Sequence, residues 1–261
     1  MHILFVGYGK TSQRVAKSLF QQQHQITTIS RSSKTDDFAT HLIQDVYQLD
    51  LSHVAPIDVV YVLLAPQYHT TQNSIDLYRQ TYVDSAKPIL QALKNHPVQR
   101  IILVSSTRVY GENKGERIDD DSKAIPSDEQ GRLLLEMERR WQNAYSSECI
   151  VVRPTGIYSG GSARMIKLAE STKSYPKIHW SNRVHIEDLA NFLGYLIHVE
   201  HPEKSYICSN NQPEPLHERI LKIQKELGLP ELILESQIES GKRIFAKRME
   251  ASAFELKAHN F

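Results

Sequence analysis

The chain has 261 residues, with 31 Lys and Arg against 30 Asp and Glu, for a net charge of +1. That length buries a large core as one α/β domain or a domain with a lobe, and 40% hydrophobic with 23% charged residues is the balance of a soluble globular protein. The near-neutral balance excludes a nucleic-acid partner, no apolar run approaches the ~20 residues that span a bilayer, and MHILFVGYGK lacks the pattern of a signal peptide, so a cytoplasmic location is expected.

In chain order, HILFV (2–6) is a short apolar strand that runs directly into Gly7. The helix that follows puts Val15, Ala16 and Leu19 on one face. QITTIS (25–30) alternates as a strand, 41–45 is a weaker one, and IDVVYVLLAP (57–66) is strong. One long amphipathic helix is predicted over 74–94, a strand over 98–106, a helix over 127–145 and a strand over 148–154. Val-, Ile- and Leu-rich strands separated by helices signal βαβ units, hence a parallel sheet covered on both faces.

After Pro154 the rhythm changes. Short helices are expected near 163–171, 187–200 and 215–227, with a strand at 205–208 and a mixed basic tail from Lys242. The boundary therefore falls near residue 155. Residues 1–155 form a nucleotide-binding domain, and 156–261 partly complete it and add a small lobe. Cys149 and Cys208 sit in apolar, strand-like stretches and read as buried thiols. The 12 His residues form no HExxH and CxxC is absent, so no metal site is expected. His198 and His201 read as a solvated helix end.

The stretch VGYGKTSQRVA carries the first functional signal. Gly7 permits a tight turn and Gly9 a close backbone approach, while the amides of Lys10, Thr11 and Ser12 open a helix whose positive end holds a diphosphate. Ser12 replaces the usual third glycine. GKTS also matches part of the phosphate loop of nucleoside-triphosphate enzymes, but that loop needs a glycine where Leu4 stands. The second strand ends in Ser30, Arg31 and Ser32 instead of the carboxylate that binds the ribose of NAD. A guanidinium with serine hydroxyls suits a 2′-phosphate. NADP is therefore favoured and NAD is the alternative, with a solvated Arg31 the bland reading.

Three later segments, ILVSSTRVYG (102–111), VVRPTGIYSGG (151–161) and NRVHIEDLA (182–190), resemble the extended or atypical short-chain dehydrogenase/reductase superfamily. More narrowly, they resemble its NAD(P)-dependent epimerase/dehydratase group, over nearly the whole chain to about residue 250. The resemblance implies a Rossmann-type, doubly wound parallel sheet with a small C-terminal substrate lobe. Leu64, Ala65 and Pro66 are then expected to line the adenosine side of the cofactor. Pro154, Thr155, Gly156 and Ile157 back its nicotinamide, with Ser105 beside it. Ser106, with Thr107 as second choice, matches the residue that hydrogen-bonds the substrate oxygen. The Ser105–Thr107 hydroxyls could equally satisfy a strand end, and Tyr110 and Tyr158 fit packing as well as substrate contact. His185 and Asp188 read as capping and tying residues. Family members often dimerise through two long helices, here about 74–94 and 129–145, with Leu133, Leu134, Met137 and Trp141 as one face. Burial inside the monomer explains the same four residues.

One family feature is missing. A Tyr-x-x-x-Lys dyad, followed by a Glu, sits on the helix after the fifth strand of family members. Aligning that Glu with Glu138 puts Gln130 in the place of the tyrosine and Leu134 in that of the lysine. A carboxamide exchanges no proton near neutral pH, and Leu carries no charge. The main expectation is an NAD(P)-dependent oxidoreductase or epimerase/dehydratase-like protein acting on a small carbonyl or sugar-derived substrate, with Tyr110 or Tyr158 as replacement acid. The alternative is a catalytically silent NADP(H)-binding or redox-sensing protein.

Overall fold

The structure, a computed structural model, describes residues 1–67, 74–160, 163–252 and 254–257. Seven parallel strands build the main sheet: β1 (His2–Val6), β2 (Gln25–Ser30), β3 (Thr40–Ile43), β4 (Val59–Val62), β5 (Arg100–Val104), β6 (Cys149–Pro154) and β7 (Ser205–Cys208). Their spatial order is β7-β6-β5-β4-β1-β2-β3. The order reverses between β1 and β4, the place where ligands bind in such sheets. All of β1 and β4 is buried, as expected for strands covered on both faces. Even His2 is satisfied there: its Nε2 meets Thr27 Oγ1 at 2.8 Å and its Nδ1 the Pro56 carbonyl at 3.0 Å.

The helix Lys10–Gln21 packs beside Ile186–Tyr195, and the 74–93 segment beside Glu129–Ala144. Side chains on the sheet clamp Ile186–Tyr195. The Tyr61 hydroxyl donates to Leu193 O at 2.8 Å, and Arg100 Nη1 donates to the Leu196 and Ile197 carbonyls. The last two bonds satisfy carbonyls that a helix end leaves without partners.

The predicted 74–94 helix is not continuous. It runs as α-helix over Ser74–Tyr78, widens to a π-helix over Arg79–Asp84, and resumes over Ala86–Leu93. Pro88 has no amide to offer the Asp84 carbonyl, and Ser85 Oγ donates back to Thr81 O at 2.6 Å, so the ladder widens just before the proline. Leu133, Leu134, Met137 and Trp141 are buried in the chain's own core. The intramolecular reading holds for them, and they present no face to a second copy. Among the described residues no helix is long and apolar enough to cross a membrane.

A second sheet was not anticipated. Its strands run in the order Glu214–Pro215, Ile178–Ser181, Glu239–Ile244, Glu116–Ile118. The mixed tail thus becomes a strand followed by the helix Lys247–Ala251. Residues beyond 155 also return β7 to the main sheet, while Glu116–Ile118, from before 155, joins the lobe. The lobe has its own small core of Ala169, Ile220 and Leu232. A buried carboxamide staples it: Gln224 Nε2 donates to the Ala169 and Thr172 carbonyls, and Gln224 Oε1 accepts from Leu232 N. Both cysteines are free and buried, and burial pushes the Cys149 thiol up to about 12.

The helix Glu129–Ala144 is locked to β6 by a buried fork. Arg153 Nε and Nη2 donate to the two Glu138 oxygens at 3.0 and 2.6 Å, and Arg153 Nη1 donates to the Tyr110 hydroxyl at 2.8 Å. Removing one member of a buried, hydrogen-bonded pair strands the other charge. Arg153→Met is therefore expected to cost about 3–5 kcal/mol in urea unfolding, with part recovered by adding Glu138→Gln. A loss below about 1 kcal/mol would show that the fork does not secure this helix.

Candidate functional site

The C-terminal ends of the parallel strands share one edge of the sheet, and the expected site residues lie there. Gly7 has φ +89°, and a Cβ on it would lie 2.4 Å from Leu63 O. Only glycine fits, because the left-handed turn after β1 is pressed against backbone leaving β4. Gly7 N donates to Ile29 O and Leu63 N to Val6 O, so β1, β2 and β4 are fixed together at the reversal point. Ser12 answers for the missing third glycine: it is buried, and its Oγ donates to Gly7 O at 2.8 Å. The substitution ties the helix back to the turn.

Gly9 is the opposite case. A Cβ there would meet nothing within 4 Å, and Gly9 caps the helix Lys10–Gln21 without any side-chain hydrogen bond. The helix of Lys10, Thr11 and Ser12 therefore starts without a side-chain cap, beside open space at Gly9. Such an end carries about half a positive charge, so it is a ready seat for a diphosphate. Arg14 steadies the helix start, with Nη1 on Lys10 O and Nε on Glu187 at 2.5 Å.

At the end of β2, Ser30 Oγ donates to Ser32 O at 2.6 Å, while Arg31 and Ser32 are exposed. Arg31 makes no ion pair among the described residues. Sequence reasoning passed over the neighbouring Tyr8 and Asp36. The Tyr8 hydroxyl and Asp36 Oδ2 are both buried and face each other. Burial, reinforced by the Asp36 charge, raises the Tyr8 phenol well above its ordinary value. Leu64, Ala65 and Pro66 follow β4 at the same edge, with Ala65 exposed and the other two half-buried.

After β5, the buried Ser105 Oγ has no partner among the described residues. Ser106 Oγ accepts from Arg108 N at 3.1 Å and caps a short 3-10 turn, Thr107–Val109. Thr107 is buried and donates to Pro154 O at 3.3 Å, so it joins two strand ends and offers no free hydroxyl proton. Tyr110 does not reach the cleft. It is 1% exposed, and its hydroxyl is taken by Arg153.

The altered dyad positions are both accounted for. Leu134 is buried in the core. Gln130 is gripped from two sides: its Oε1 accepts from Arg108 Nη2 at 3.3 Å, and its Nε2 donates to Ser74 Oγ at 3.4 Å. Arg108 is itself held side-on by Asp128, which caps the helix through Gly131 N at 2.7 Å. That hydrogen-bonded partnership raises the Arg108 guanidinium above its usual value. A cation on a different element thus touches Gln130, the residue in the tyrosine's place.

Beyond β6, Thr155 is buried and doubly tied to Cys208 O, by its amide at 3.0 Å and its hydroxyl at 3.3 Å. Pro154 is buried, whereas Gly156 and Ile157 are exposed, Ile157 by 48%. Tyr158 lies edge-on to His185, with ring centroids 5.1 Å apart, and under the Arg183 guanidinium. His185 caps Ile186–Tyr195 by accepting from Glu187 N, and Asp188 accepts from Lys257 N. Both do the capping and tying expected of them.

The sequence pattern of a family described as NAD(P)H-binding matches residues 7–198. A solved Methylobacillus flagellatus protein, assigned to the NAD-dependent epimerase/dehydratase group, is 30% identical over 98% of this chain and 92% of its own, with TM-score 0.82. UDP-glucuronic acid 4-epimerase of Bacillus cereus, solved with NAD, shares the fold at 17% identity, 99% and 94% coverage and TM-score 0.76. Among curated proteins, an Escherichia coli N-acetyl-α-D-glucosaminyl-diphospho-ditrans,octacis-undecaprenol 4-epimerase is 31% identical over 121 residues, 44% of this chain and 36% of that one. Protein YeeZ of Escherichia coli is 25% identical over 163 residues, 62% and 58% of the two chains. The chain thus spans about a third to three-fifths of the length of these curated relatives.

Gly7 and Gly9 should separate under mutation. Gly7→Ala combines a left-handed φ with a collision against Leu63 O, and should cost at least about 2 kcal/mol in urea unfolding. Gly9→Ala enters open space and should cost less than about 1 kcal/mol. Equal stability of the two variants would contradict the turn geometry.

Proposed function

The chain belongs to the NAD(P)H-binding, epimerase/dehydratase-like family, and on that premise we propose that it is an NADP-favouring oxidoreductase or epimerase-like enzyme for a small carbonyl or sugar-derived substrate. The observation that carries this reading is the open space over Gly9 at the uncapped start of Lys10–Gln21, beside a Gly7 that admits no side chain. Gly7, Gly9 and the amides of Lys10, Thr11 and Ser12 take the diphosphate. Ser30, Arg31 and Ser32 take the 2′-phosphate, and the exposure of Arg31 supports that role. Leu64, Ala65 and Pro66 line the adenosine side. Ser105, Pro154, Thr155, Gly156 and Ile157 border the nicotinamide. Residues 1–155 form the cofactor domain apart from Glu116–Ile118, which joins the lobe, and the chain beyond 155 completes the domain and supplies the rest of the lobe.

When bound, the dinucleotide supplies a hydride or accepts one. The chain's own groups do the rest. Ser106 Oγ already accepts from the Arg108 amide, so its own O–H is left to donate to the substrate oxygen. Gln130 adds a carboxamide that orients but transfers no proton. Tyr110 is dropped as acid because its side chain is 1% exposed, packed in the core against Arg153 and out of reach of a substrate. Tyr158, beside the exposed Ile157, is the proton donor in this reading.

Calorimetry with NADPH and NADH tests the cofactor part. Gly9→Ala should weaken both, and Arg31→Ala should weaken NADPH by about tenfold or more while sparing NADH. Equal losses in Arg31→Ala would remove the 2′-phosphate assignment. NADPH oxidation across aldehydes, ketones and nucleotide sugars tests the enzyme part. Once a substrate is found, Tyr158→Phe and Ser106→Ala should each lower turnover by about 10²-fold or more with NADPH affinity unchanged. Tight NADPH binding with no turnover on any of them would sink the catalytic reading.

A further inference from the structure

The glycine turn carries a side chain that the roles above leave unused. Tyr8 stands between Gly7 and Gly9, is 4% exposed, and turns its ring to His41 on β3, with centroids 5.3 Å apart. His41 in turn reaches the loop between β2 and β3. Its Nε2 donates to the Asp36 carbonyl at 2.8 Å, and its Nδ1 meets the Thr28 hydroxyl at 2.6 Å. The Tyr8 hydroxyl and Asp36 Oδ2 face each other in the same buried place. Burial keeps the proton on the phenol, so towards the carboxylate it acts only as a donor.

These contacts divide the loop. Downstream, Asp36 is held from two sides, and Phe38 lies on Phe20 of the helix Lys10–Gln21, with centroids 5.4 Å apart. Upstream, Ser30 Oγ donates to Ser32 O, and the Ser30 carbonyl accepts from Gln44 N. Between the two anchors, residues 31–35 form an arch, with Arg31, Ser32, Ser33 and Thr35 exposed and Lys34 half-buried. A carboxylate oxygen out of water needs a donor and a buried hydroxyl needs an acceptor, so each group holds the other in place. Packing alone would be met by a phenylalanine at residue 8.

We propose that Tyr8 and Asp36 are positioning residues for cofactor selection, whose pairing fixes the arch 31–35, and with it Arg31, relative to the diphosphate seat. The inference rests on the reading that Arg31 takes the 2′-phosphate. Tyr8 grows from the turn that seats the diphosphate, so the clasp links the two phosphate seats directly. Holding the arch before the cofactor arrives spares the cost of ordering it on binding. NADPH uses both seats and NADH only one, so loss of the clasp weakens NADPH selectively.

The test is a double-mutant cycle on the full chain, read by calorimetry with NADPH and NADH. Trypsin cleavage after Arg31 and Lys34 of the cofactor-free chain is the second readout. Tyr8→Phe and Asp36→Ala should each weaken NADPH by about fivefold to tenfold and leave NADH within about twofold. The double variant should bind NADPH no more weakly than the poorer single, because the two groups act as one pair. Asp36→Asn keeps an acceptor oxygen and should lie near wild type. Tyr8→Phe and Asp36→Ala should also be cut in the arch about fivefold faster or more. The proposal falls if Tyr8→Phe leaves the NADPH-to-NADH affinity ratio unchanged, if the two losses simply add, or if the arch is cut no faster. Should Tyr8→Phe fail to fold, Asp36→Ala against Asp36→Asn decides alone, and equal losses in those two overturn the pairing. If Arg31→Ala weakens both cofactors equally, or the wild type binds neither, the cofactor reading fails by itself, and the trypsin rates still judge whether the clasp holds the arch.

Discussion

The backbone contact between Gly7 and Leu63 is the constraint on which the rest of the molecule is arranged. The chain leaves β1 through a left-handed turn because the backbone leaving β4 occupies the space a side chain would need. That contact sits where the strand order reverses, and it aims the following helix across the sheet edge. Ser12 then fastens the helix to the turn by a bond to the Gly7 carbonyl. A motif that looks degraded by the loss of one glycine is therefore intact in its mechanical purpose, because a hydroxyl has taken over as a tether.

The same economy governs the segments that carry the family resemblance. Tyr110, Arg153 and Glu138 come from three separate stretches and meet in one buried network. Their job is to set the relation of the Glu129–Ala144 helix to the sheet, which explains why the helix keeps its frame although the Tyr-Lys pair on it is gone. Gln130 and Leu134 cost the fold nothing: one joins the Arg108 and Ser74 contacts, the other joins the core. On the turn after β5, Asp128 holds Arg108 in place against Gln130.

Much of this was legible in the sequence, for identifiable reasons. β1, β4, β5 and β6 are largely continuous apolar runs, and the order of the strands in the chain is the order of the βαβ rhythm. Every residue placed at the cofactor edge lies near a strand end, which local pattern locates well. The break at Arg79–Asp84 was not read, although Pro88 marked it. The second sheet was invisible because its strands are two to six residues long, polar and distant from one another in sequence. The status of Tyr110 could not be read either. Its neighbours on the chain give no sign that Arg153, 43 residues later, takes its hydroxyl.

The short strand Glu116–Ile118 sets a mechanical limit. It runs beside Lys242–Ile244, while Asn113 receives the Gly241 amide and Lys242 reaches the Tyr110 carbonyl. A few residues on, Asp120 accepts the amides of Ile207 in the main sheet and Arg248 in the tail. Residues 110–120 are thus sewn into both halves of the molecule at once. Swinging the lobe as a rigid jaw would break those bonds, so the lobe and the main sheet hold a nearly constant spacing.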